Sequence, residues 1–367
     1  MTAFIEKLLQ LAVQIQQIPA PTFAEQARAE FVRQQFMVES LSDVFQDSVG
    51  NIYARLPGCG QARPLVVSAH LDTVFPAETL LQVRREANRI YGPGIGDNSL
   101  GVAALLGLVW LLRERGVALE GDLWLVANVG EEGLGNLRGM AAVADRFGKT
   151  PCAYLVLEGL ALGHVYHRAI GVQRFRITVQ TAGGHSWSNY GEPSAVHELA
   201  ALITRLTSLP LPAQPRTTLN VGVIGGGTSV NTLAAEAWCE LDLRSESPRT
   251  LSLLIGQVQN LIRLASRPGV VIRAEEIGQR PAGEIPVEHP LVRLAERCLL
   301  HQGLEPVFTS GSTDANIPLS QGIPAIVLGI TTGGGAHTLN EFIEVQPVHK
   351  GMEQILEFTQ RCFAPEF

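Results

Sequence analysis

The chain has 367 residues, of which 46% are hydrophobic and 17% are charged. A chain of this length and composition can bury a sizeable core, and two domains are favoured over one. The formal net charge of −7 gives no electrostatic basis for binding nucleic acid, and five scattered cysteines without Cys-x-x-Cys spacing argue against a disulfide framework.

The N-terminal segment predicts a helix and not a targeting signal. Apolar residues between Phe4 and Val13 repeat with helical spacing. The same segment contains the acidic Glu6 and no basic start, so no signal peptide is expected. The longest apolar run, Leu100 to Leu112, contains glycines and stops at Arg113, which makes it too short to span a bilayer. These features predict a soluble cytoplasmic protein that does not associate with a membrane.

The first part of the chain alternates helical and extended patterns. A second helix is predicted from about 24 to 36, and another begins near Leu100. Mostly apolar runs bounded by turn residues predict strands. These predicted strands cover about 51–56, 66–70, 122–129 and 152–157.

The pattern changes near Gly171, where polar and apolar residues begin to alternate as in a half-exposed antiparallel strand. The elements that follow have the β-α-β-β-α-β order of a ferredoxin-like unit. They are predicted as strands at about 173–180, 217–224, 235–243 and 270–277, with helices at about 193–206 and 250–264.

Strand and helix alternation resumes after Gln279 to Gly283, which is predicted to be a return linker. A helix at about 290–300, a strand at 326–330 and a helix at 348–362 follow. The sequence therefore predicts one domain formed by residues 1–170 and 281–367, with residues 171–280 inserted into it as a second domain.

The strand that begins at Val66 ends in two polar residues, His70 and Asp72. Residues two apart on a strand point to the same face. A carboxylate behind an imidazole fixes its tautomer and supports a metal-bound histidine. A chance surface pair is the alternative interpretation of these two residues alone.

A glycine-rich loop from Tyr91 to Ser99 contains Asp97. A phosphate-binding loop is one alternative, but the segment lacks the Gly-Lys-Ser/Thr ending and the Gly-x-Gly-x-x-Gly spacing of such sites. Asp97 also has the wrong charge to face a phosphate. Capping of the following helix by Asp97, Asn98 or Ser99 is a second alternative.

Two further apolar runs end in glutamates, one in Glu131-Glu132 and the other in Glu158. Neighbouring residues on an extended backbone point in opposite directions, so Glu131 and Glu132 are predicted to serve different partners. A solvated turn is the alternative for this pair. Near the C-terminus a glycine-rich turn presents His337.

These side chains are predicted to meet in one cleft, because ligands in an open α/β sheet bind beyond the carboxyl ends of the strands. Carboxylates gathered without a counterion repel one another, and these motifs contain no lysine or arginine. Two histidines and three carboxylates are enough for two divalent ions if one carboxylate bridges. Imidazole and carboxylate ligands suit zinc, and cobalt or manganese less exclusively.

Five segments, in order along nearly the whole chain, resemble the motifs of the di-zinc M20 metallopeptidases. They are His70-Leu71-Asp72-Thr73-Val74, Gly96-Asp97-Asn98, Glu131-Glu132-Gly133, Glu158-Gly159 and Gly335-Ala336-His337. That group includes peptidase T, glutamate carboxypeptidase, acetylornithine deacetylase and succinyl-diaminopimelate desuccinylase. The resemblance implies a zinc-exopeptidase-like α/β fold, with a mixed sheet flanked by helices and an inserted ferredoxin-like lid and dimerisation domain.

The resemblance also implies the metal ligands. Asp97 would bridge the two ions. His70 and Glu158 would complete one metal site, and Glu132 and His337 would complete the other.

Three further expectations follow from the resemblance. The peptide bond after Asp97 is expected to be cis. Asp72 would orient His70. Glu131 would act as the general base that takes a proton from the attacking water, because a base cannot be consumed as a ligand.

In the inserted domain, Gly183-Gly184-His185-Ser186 resembles the family's lid motif. In the family this histidine reaches the active site of the partner subunit and steadies the oxyanion, which implies a homodimer through residues 171–280. Asn231 and Arg244 match positions that hold the substrate, and a surface residue is the alternative interpretation of Arg244, which lies at a strand end. Trp187, where relatives often have a small residue, is predicted to line or close part of the cleft.

The implied reaction is hydrolysis of an amide bond in small peptides. Deacylation of N-acyl amino acids by the same side chains is the alternative, and a non-enzymatic binding protein with this fold is a third hypothesis. Glu158 favours the carboxypeptidase, deacetylase and desuccinylase branches, whereas residues 311–316 resemble peptidase T-like members. The branch therefore stays open at this point.

Overall fold

The computed structural model describes residues 2–363, which form two compact units. Ile170–Gly283 is called the inserted unit here, and the described residues before and after it form the main unit. The insertion predicted from the sequence, 171–280, begins one residue later and ends three residues earlier than the inserted unit.

The main unit is built on a mixed sheet with parallel strands at its centre. Leu65–His70 lies between Leu123–Asn128 and Ala153–Glu158 and runs parallel to both. Every residue of Leu65–His70 is buried, as expected for a parallel strand covered on both faces. The strand order is Ser42–Gln46, Ile52–Leu56, Leu123–Asn128, Leu65–His70, Ala153–Glu158, Ala325–Gly329 and His164–Ala169, with Val307–Gly311 also beside His164–Ala169.

Helices flank this sheet, as the sequence predicts. Leu100–Glu114 packs against the central strands, and helices Thr2–Gln16 and Val348–Arg361 pack against it. At Gly107 a Cβ atom would lie 2.9 Å from a Leu8 methyl group, so this glycine permits the close approach of two helices. The helices of the main unit are Thr2–Gln16, Gln26–Val38, Leu100–Glu114, Arg138–Phe147, Pro290–His301, Asn316–Ser320 and Val348–Arg361, with a π-helical turn at Ile95–Ser99 and a 3-10 turn at Gly133–Gly135.

The helical segment Ile95–Glu114 is long and apolar enough to cross a membrane by length and composition alone. It is longer than the apolar run that the sequence suggests, because the turn at Ile95–Ser99 continues into the helix. Of its most apolar window, 89% is buried inside the protein. Packing in the core therefore accounts for its apolar character.

A small second sheet in the main unit joins segments that are far apart in sequence. Phe342–Glu344 pairs with Arg89–Tyr91 on one side and with Gly333–Gly334 on the other, and Arg84–Arg85 completes the sheet. The glycine-rich loop after Tyr91 and the turn that carries His337 are thus attached to one sheet. The sequence analysis does not predict these short strands.

The inserted unit has the β-α-β-β-α-β order expected from the sequence. Its antiparallel sheet has the strand order Thr217–Gly226, Glu236–Ser245, Gly171–Gln180 and Val271–Arg280. Two helices, Ala195–Thr207 and Pro248–Ala265, pack their apolar sides against one face of this sheet. The predicted return linker is wrong at its start, because Gln279 and Arg280 end the last strand; the short strand Gly283–Glu284 follows it.

Candidate metal centre

Three neighbouring parallel strands bring acidic and imidazole side chains to one edge of the main sheet. Leu65–His70 ends in His70, and Ala153–Glu158 ends in Glu158. Leu123–Asn128 leads into the turn that carries Glu131 and Glu132. Because the strands are parallel neighbours, their carboxyl ends meet at the same edge.

His70, Asp97 and Glu158 form the first cluster. His70 Nε2 lies 3.1 Å from Asp97 Oδ1 and 3.7 Å from Glu158 Oε2. One nitrogen or oxygen from each of the three side chains lies within 4.8 Å of the others, a spacing that can hold a metal ion.

Asp97, Glu132 and His337 form the second cluster. His337 Nε2 lies 3.1 Å from Asp97 Oδ2 and 3.1 Å from Glu132 Oε1. The two oxygens of Asp97 therefore face two different histidines, one in each cluster. Two imidazoles and three carboxylates in this arrangement fit a pair of divalent ions with one shared carboxylate.

The backbone around Asp97 is fixed by its neighbours. The Asp97–Asn98 peptide bond is cis, as expected from the family resemblance. The buried side chain of Asn98 donates to the carbonyl of Leu157 at 2.8 Å and accepts the N–H of Gly159 at 2.9 Å. These two contacts hold the residues on either side of Glu158, so Asn98 ties the Asp97 loop to the strand that presents Glu158.

Glu131 and Glu132 lie beyond the end of the strand, and the expectation that they serve different partners stays a prediction. The strand ends at Asn128, and oxygens of both glutamates lie within 4.8 Å of each other and of a His70 nitrogen. Asp72 holds both peptide groups: Oδ1 accepts the N–H of Glu131 at 3.0 Å and Oδ2 that of Glu132 at 2.9 Å. The two glutamates therefore converge on one centre from a turn that Asp72 organises.

The contact between Asp72 and His70 differs from the sequence expectation. The strand ends at His70, so Asp72 lies beyond it. His70 Nδ1 is 3.0 Å from the backbone carbonyl oxygen of Asp72 and 3.6 Å from its carboxylate. Donation from Nδ1 to this carbonyl leaves the Nε2 lone pair directed toward Asp97 and Glu158, which is the tautomer that a metal-binding histidine requires.

The electrostatics of the centre favour positive charge. Burial acts to lower the pKa of His70, but the carboxylates of Asp72, Asp97 and Glu158 more than offset this, and the pKa stands well above its ordinary value. Hydrogen bonds that the His337 ring donates to the carboxylates of Asp97 and Glu132 raise the pKa of His337 to about 10. Burial raises the pKa of Glu158. The carboxylates thus require a neighbouring cation, either a proton or a metal ion.

Several buried polar residues around the centre are not identified by the sequence analysis. Arg28 donates to the carbonyl of Leu71, between His70 and Asp72, at 2.8 Å, and burial lowers its pKa to about 10. The partners of these residues are backbone groups or side chains far away in the sequence, so no local sequence pattern identifies them. The others are Glu25, which accepts the N–H of Gly130; Asp314, which accepts from Asn128 and whose pKa burial raises to about 7; and Glu341, which accepts backbone N–H groups of the Asp97 loop.

Two of the predicted residues of the inserted unit lie together. The short strand Gly184–His185 pairs with Thr232–Leu233, and Ser186 donates its N–H to the carbonyl of Asn231 at 3.0 Å. His185 Nδ1 accepts the backbone N–H groups of Trp187 and Ser188 at 3.2 and 3.4 Å. With Nδ1 acting as acceptor, the neutral ring carries its proton on Nε2, which can donate a hydrogen bond.

Arg244 lies on the strand Glu236–Ser245, where it pairs with an acidic neighbour. Its Nε is 2.7 Å from Asp242 Oδ2, and Arg174 contacts the other oxygen of Asp242 at 2.9 Å. The side chain of Arg244 is 42% exposed. A substrate carboxylate would therefore share Arg244 with Asp242.

Comparison with known proteins identifies the family. Residues 66–361 match the model of Peptidase family M20/M25/M40. A Peptidase M20 domain-containing protein of Schizosaccharomyces pombe is 33% identical over 202 residues, which are 53% of this chain and 48% of that protein. This match therefore spans about half the length of the yeast protein.

Two further proteins are similar over most of the chain. An acetylornithine deacetylase of Erwinia tasmaniensis is 26% identical over 80% of this chain and 79% of its own length. The crystal structure of a tripeptidase from Staphylococcus aureus superposes with a TM-score of 0.82 at 22% identity, covering 98% of both chains. At this identity the second comparison shows a shared fold.

Proposed function

Because the chain belongs to Peptidase family M20/M25/M40, we propose that this hydrolase uses two zinc ions to cleave an amide bond in small peptides. The position of Asp97 carries the proposal. Its oxygens lie 3.1 Å from His70 Nε2 and 3.1 Å from His337 Nε2. One carboxylate between two imidazoles, each with its own glutamate, supports a bridged pair of ions, with cobalt or manganese as alternatives to zinc.

The proposed roles follow from the positions of the side chains. When bound, the two ions polarise the scissile carbonyl and lower the pKa of the attacking water. Glu131 accepts a proton from that water at its carboxylate and delivers it to the leaving amine. Asp72 holds the backbone of Glu131 at 3.0 Å, so it fixes the direction from which the base reaches the water.

The substrate class is proposed from the relatives. One similar structure is described as a tripeptidase and one similar sequence as an acetylornithine deacetylase. A short peptide and an N-acyl amino acid both present an amide bond close to a charged end. We place small peptides first, because the fold similarity to the tripeptidase covers nearly the whole chain, and N-acyl amino acids second.

A substrate panel tests this proposal. Metal-free protein is reloaded with zinc, cobalt or manganese and is offered dipeptides, tripeptides and N-acetyl amino acids. We expect the highest kcat/KM on a di- or tripeptide. Cleavage of N-acyl amino acids alone would identify a deacylase, and metal binding without hydrolysis of any compound would favour a binding protein.

Replacement of His185 by alanine should lower kcat and leave KM nearly unchanged. An Nε2–H donor that meets the oxyanion acts only in the transition state, and loss of one such donor costs about 10²- to 10³-fold in kcat. Steady-state kinetics of His185→Ala against His301→Ala, an exposed histidine of the main unit, checks this. An equal kcat in wild-type protein and His185→Ala would contradict it.

We also propose a homodimer formed through residues 171–280. His185 is exposed in the single chain, and the nearby side chains of Trp187 and Tyr190 are 87% and 90% exposed. Two large aromatic side chains in contact with water are typical of a surface that another molecule covers. Sedimentation analysis should give a dimer, and a fully active monomer would contradict the proposal.

We place the protein in the cytoplasm. All five cysteines are free thiols, which suits a reducing compartment. Fractionation of cells that produce the protein should recover it with cytoplasmic markers, and recovery from the medium or an envelope fraction would contradict this location.

A further inference from the structure

Glu341 is a fully buried carboxylate beside the candidate metal centre but is not one of the proposed ligands. None of its surface is exposed. It follows the turn that carries His337 and precedes the strand Phe342–Glu344, which pairs with Arg89–Tyr91. This pairing places Glu341 directly against the glycine-rich loop that leads to Asp97.

The carboxylate of Glu341 accepts three backbone N–H groups of that loop. Its Oε2 accepts the N–H of Gly94 at 3.0 Å, and its Oε1 accepts those of Gly96 and Asp97 at 2.7 and 2.8 Å. Its backbone carbonyl accepts the N–H of Gly92 at 2.9 Å. Hydrogen bonds from N–H groups to a carboxylate are about twice as strong as those between neutral groups.

The loop needs an external acceptor because of its own conformation. Gly94 has φ +74° and precedes the helical turn Ile95–Ser99. The first N–H groups of a helical turn have no partner within it, and Gly94 at the N-cap position has no side chain that could accept from them. Glu341 fills this place from a distant part of the chain.

Apolar side chains also lie close to the loop. A Cβ atom at Gly96 would lie 2.8 Å from Leu160 and 3.1 Å from Ile343, so there is little room for the loop to shift toward them. A change in the length or charge of residue 341 is expected to move the peptide of Asp97, because Glu341 Oε1 accepts its N–H at 2.8 Å.

We propose that Glu341 is a positioning residue that fixes the backbone of Gly94–Asp97, so that the Asp97 carboxylate stays between His70 and His337. The inference rests on the proposed metal centre. Glu341 lies four residues after His337 in the sequence, so it connects the turn of one ligand with the loop of the bridging ligand. It therefore sets the distance between Asp97 and His337 without touching a metal ion.

Variants at Glu341 test this role through metal binding in the full-length protein. Glu341→Gln keeps the size of the side chain but places an NH₂ group against a backbone N–H. Glu341→Asp keeps the charge but is one methylene shorter. Zinc affinity is measured by competition with a chromophoric chelator, and the geometry of the centre by the visible spectrum of the cobalt-loaded protein.

Asp47 provides a matched control. Its Oδ1 also accepts three backbone N–H groups, those of residues 49–51, each at 2.9 Å. Its Oδ2 contacts the side chains of Asn51 and Tyr53, neither of which is a proposed ligand. Asp47→Asn therefore reports the effect of weakening a half-buried carboxylate turn on stability alone.

We expect Glu341→Gln to bind zinc about 10- to 100-fold more weakly, the usual effect of losing a group that orients metal ligands. Its cobalt spectrum should change, whereas Asp47→Asn should match wild-type protein in both measurements. Glu341→Asp should also alter the cobalt spectrum. If Glu341→Gln does not fold, Glu341→Asp replaces it in both measurements.

Three outcomes would overturn the role of Glu341. One is wild-type affinity and an unchanged spectrum in the folded Glu341 variants, while wild-type protein binds two ions. Another is a loss of zinc affinity in Asp47→Asn that equals the loss in Glu341→Gln. Absence of metal binding by wild-type protein would instead remove the proposed function, and this inference with it.

Discussion

Replacing Glu131 by alanine is expected to lower kcat by about 10²- to 10⁴-fold, the contribution of a positioned general base, while both metal ions remain bound. The side chain is buried and converges on His70, yet it is not needed to complete either cluster around Asp97. Its backbone is held by Asp72, and alanine keeps that hydrogen bond. Peptide hydrolysis and metal content measured on the same sample check this expectation.

Glu132→Ala is the matched control, since the two glutamates are neighbours and are each 6% exposed. Glu132 Oε1 lies 3.1 Å from His337 Nε2, so its loss should weaken metal binding as well as activity. Full activity in Glu131→Ala would refute the role of the base. Equal loss of metal in both variants would show that the two glutamates do not have separate roles.

Replacing Asp97 by alanine should weaken the binding of both ions and abolish activity, because one carboxylate serves both clusters. It should also leave His70 and His337 with fewer acidic neighbours, since Asp97 Oδ1 and Oδ2 each lie 3.1 Å from one of them. Metal content by mass spectrometry and zinc affinity by chelator competition measure the effect.

His337→Ala is the comparison for Asp97→Ala, because Asp97 belongs to two clusters and His337 to one. His337 belongs to one cluster only, so its loss should weaken one ion more than the other. Retention of two ions per chain by Asp97→Ala, with wild-type affinity, would contradict the bridge.

The sequence predicts the strands at the centre of the main sheet but not Ser42–Gln46, His164–Ala169 or Val307–Gly311. Leu65–His70 and Ala153–Glu158 are mostly apolar runs that end in His70 and Glu158, and parallel strands place such ends at one edge. The clustering of His70 with Glu158 therefore follows from local pattern and sheet geometry. The β-α-β-β-α-β order of the inserted unit follows in the same way from regular alternation.

Contacts that join distant segments could not be predicted. Glu341 binds backbone N–H groups, which every residue has, so no pattern in the sequence identifies its partners. The spacing of Asp72 from His70 predicts that both lie on one strand, but the strand ends at His70, two residues before Asp72. Its carboxylate instead holds the turn of Glu131 and Glu132, a role that only the three-dimensional structure reveals.

Diffraction from crystals of the zinc-loaded protein, recorded at the zinc absorption edge, tests the paired-metal centre most directly. We expect two anomalous peaks about 3.5–4 Å apart, one beside His70 and Glu158 and the other beside Glu132 and His337, with Asp97 between them. A single peak, or peaks away from these side chains, would contradict it.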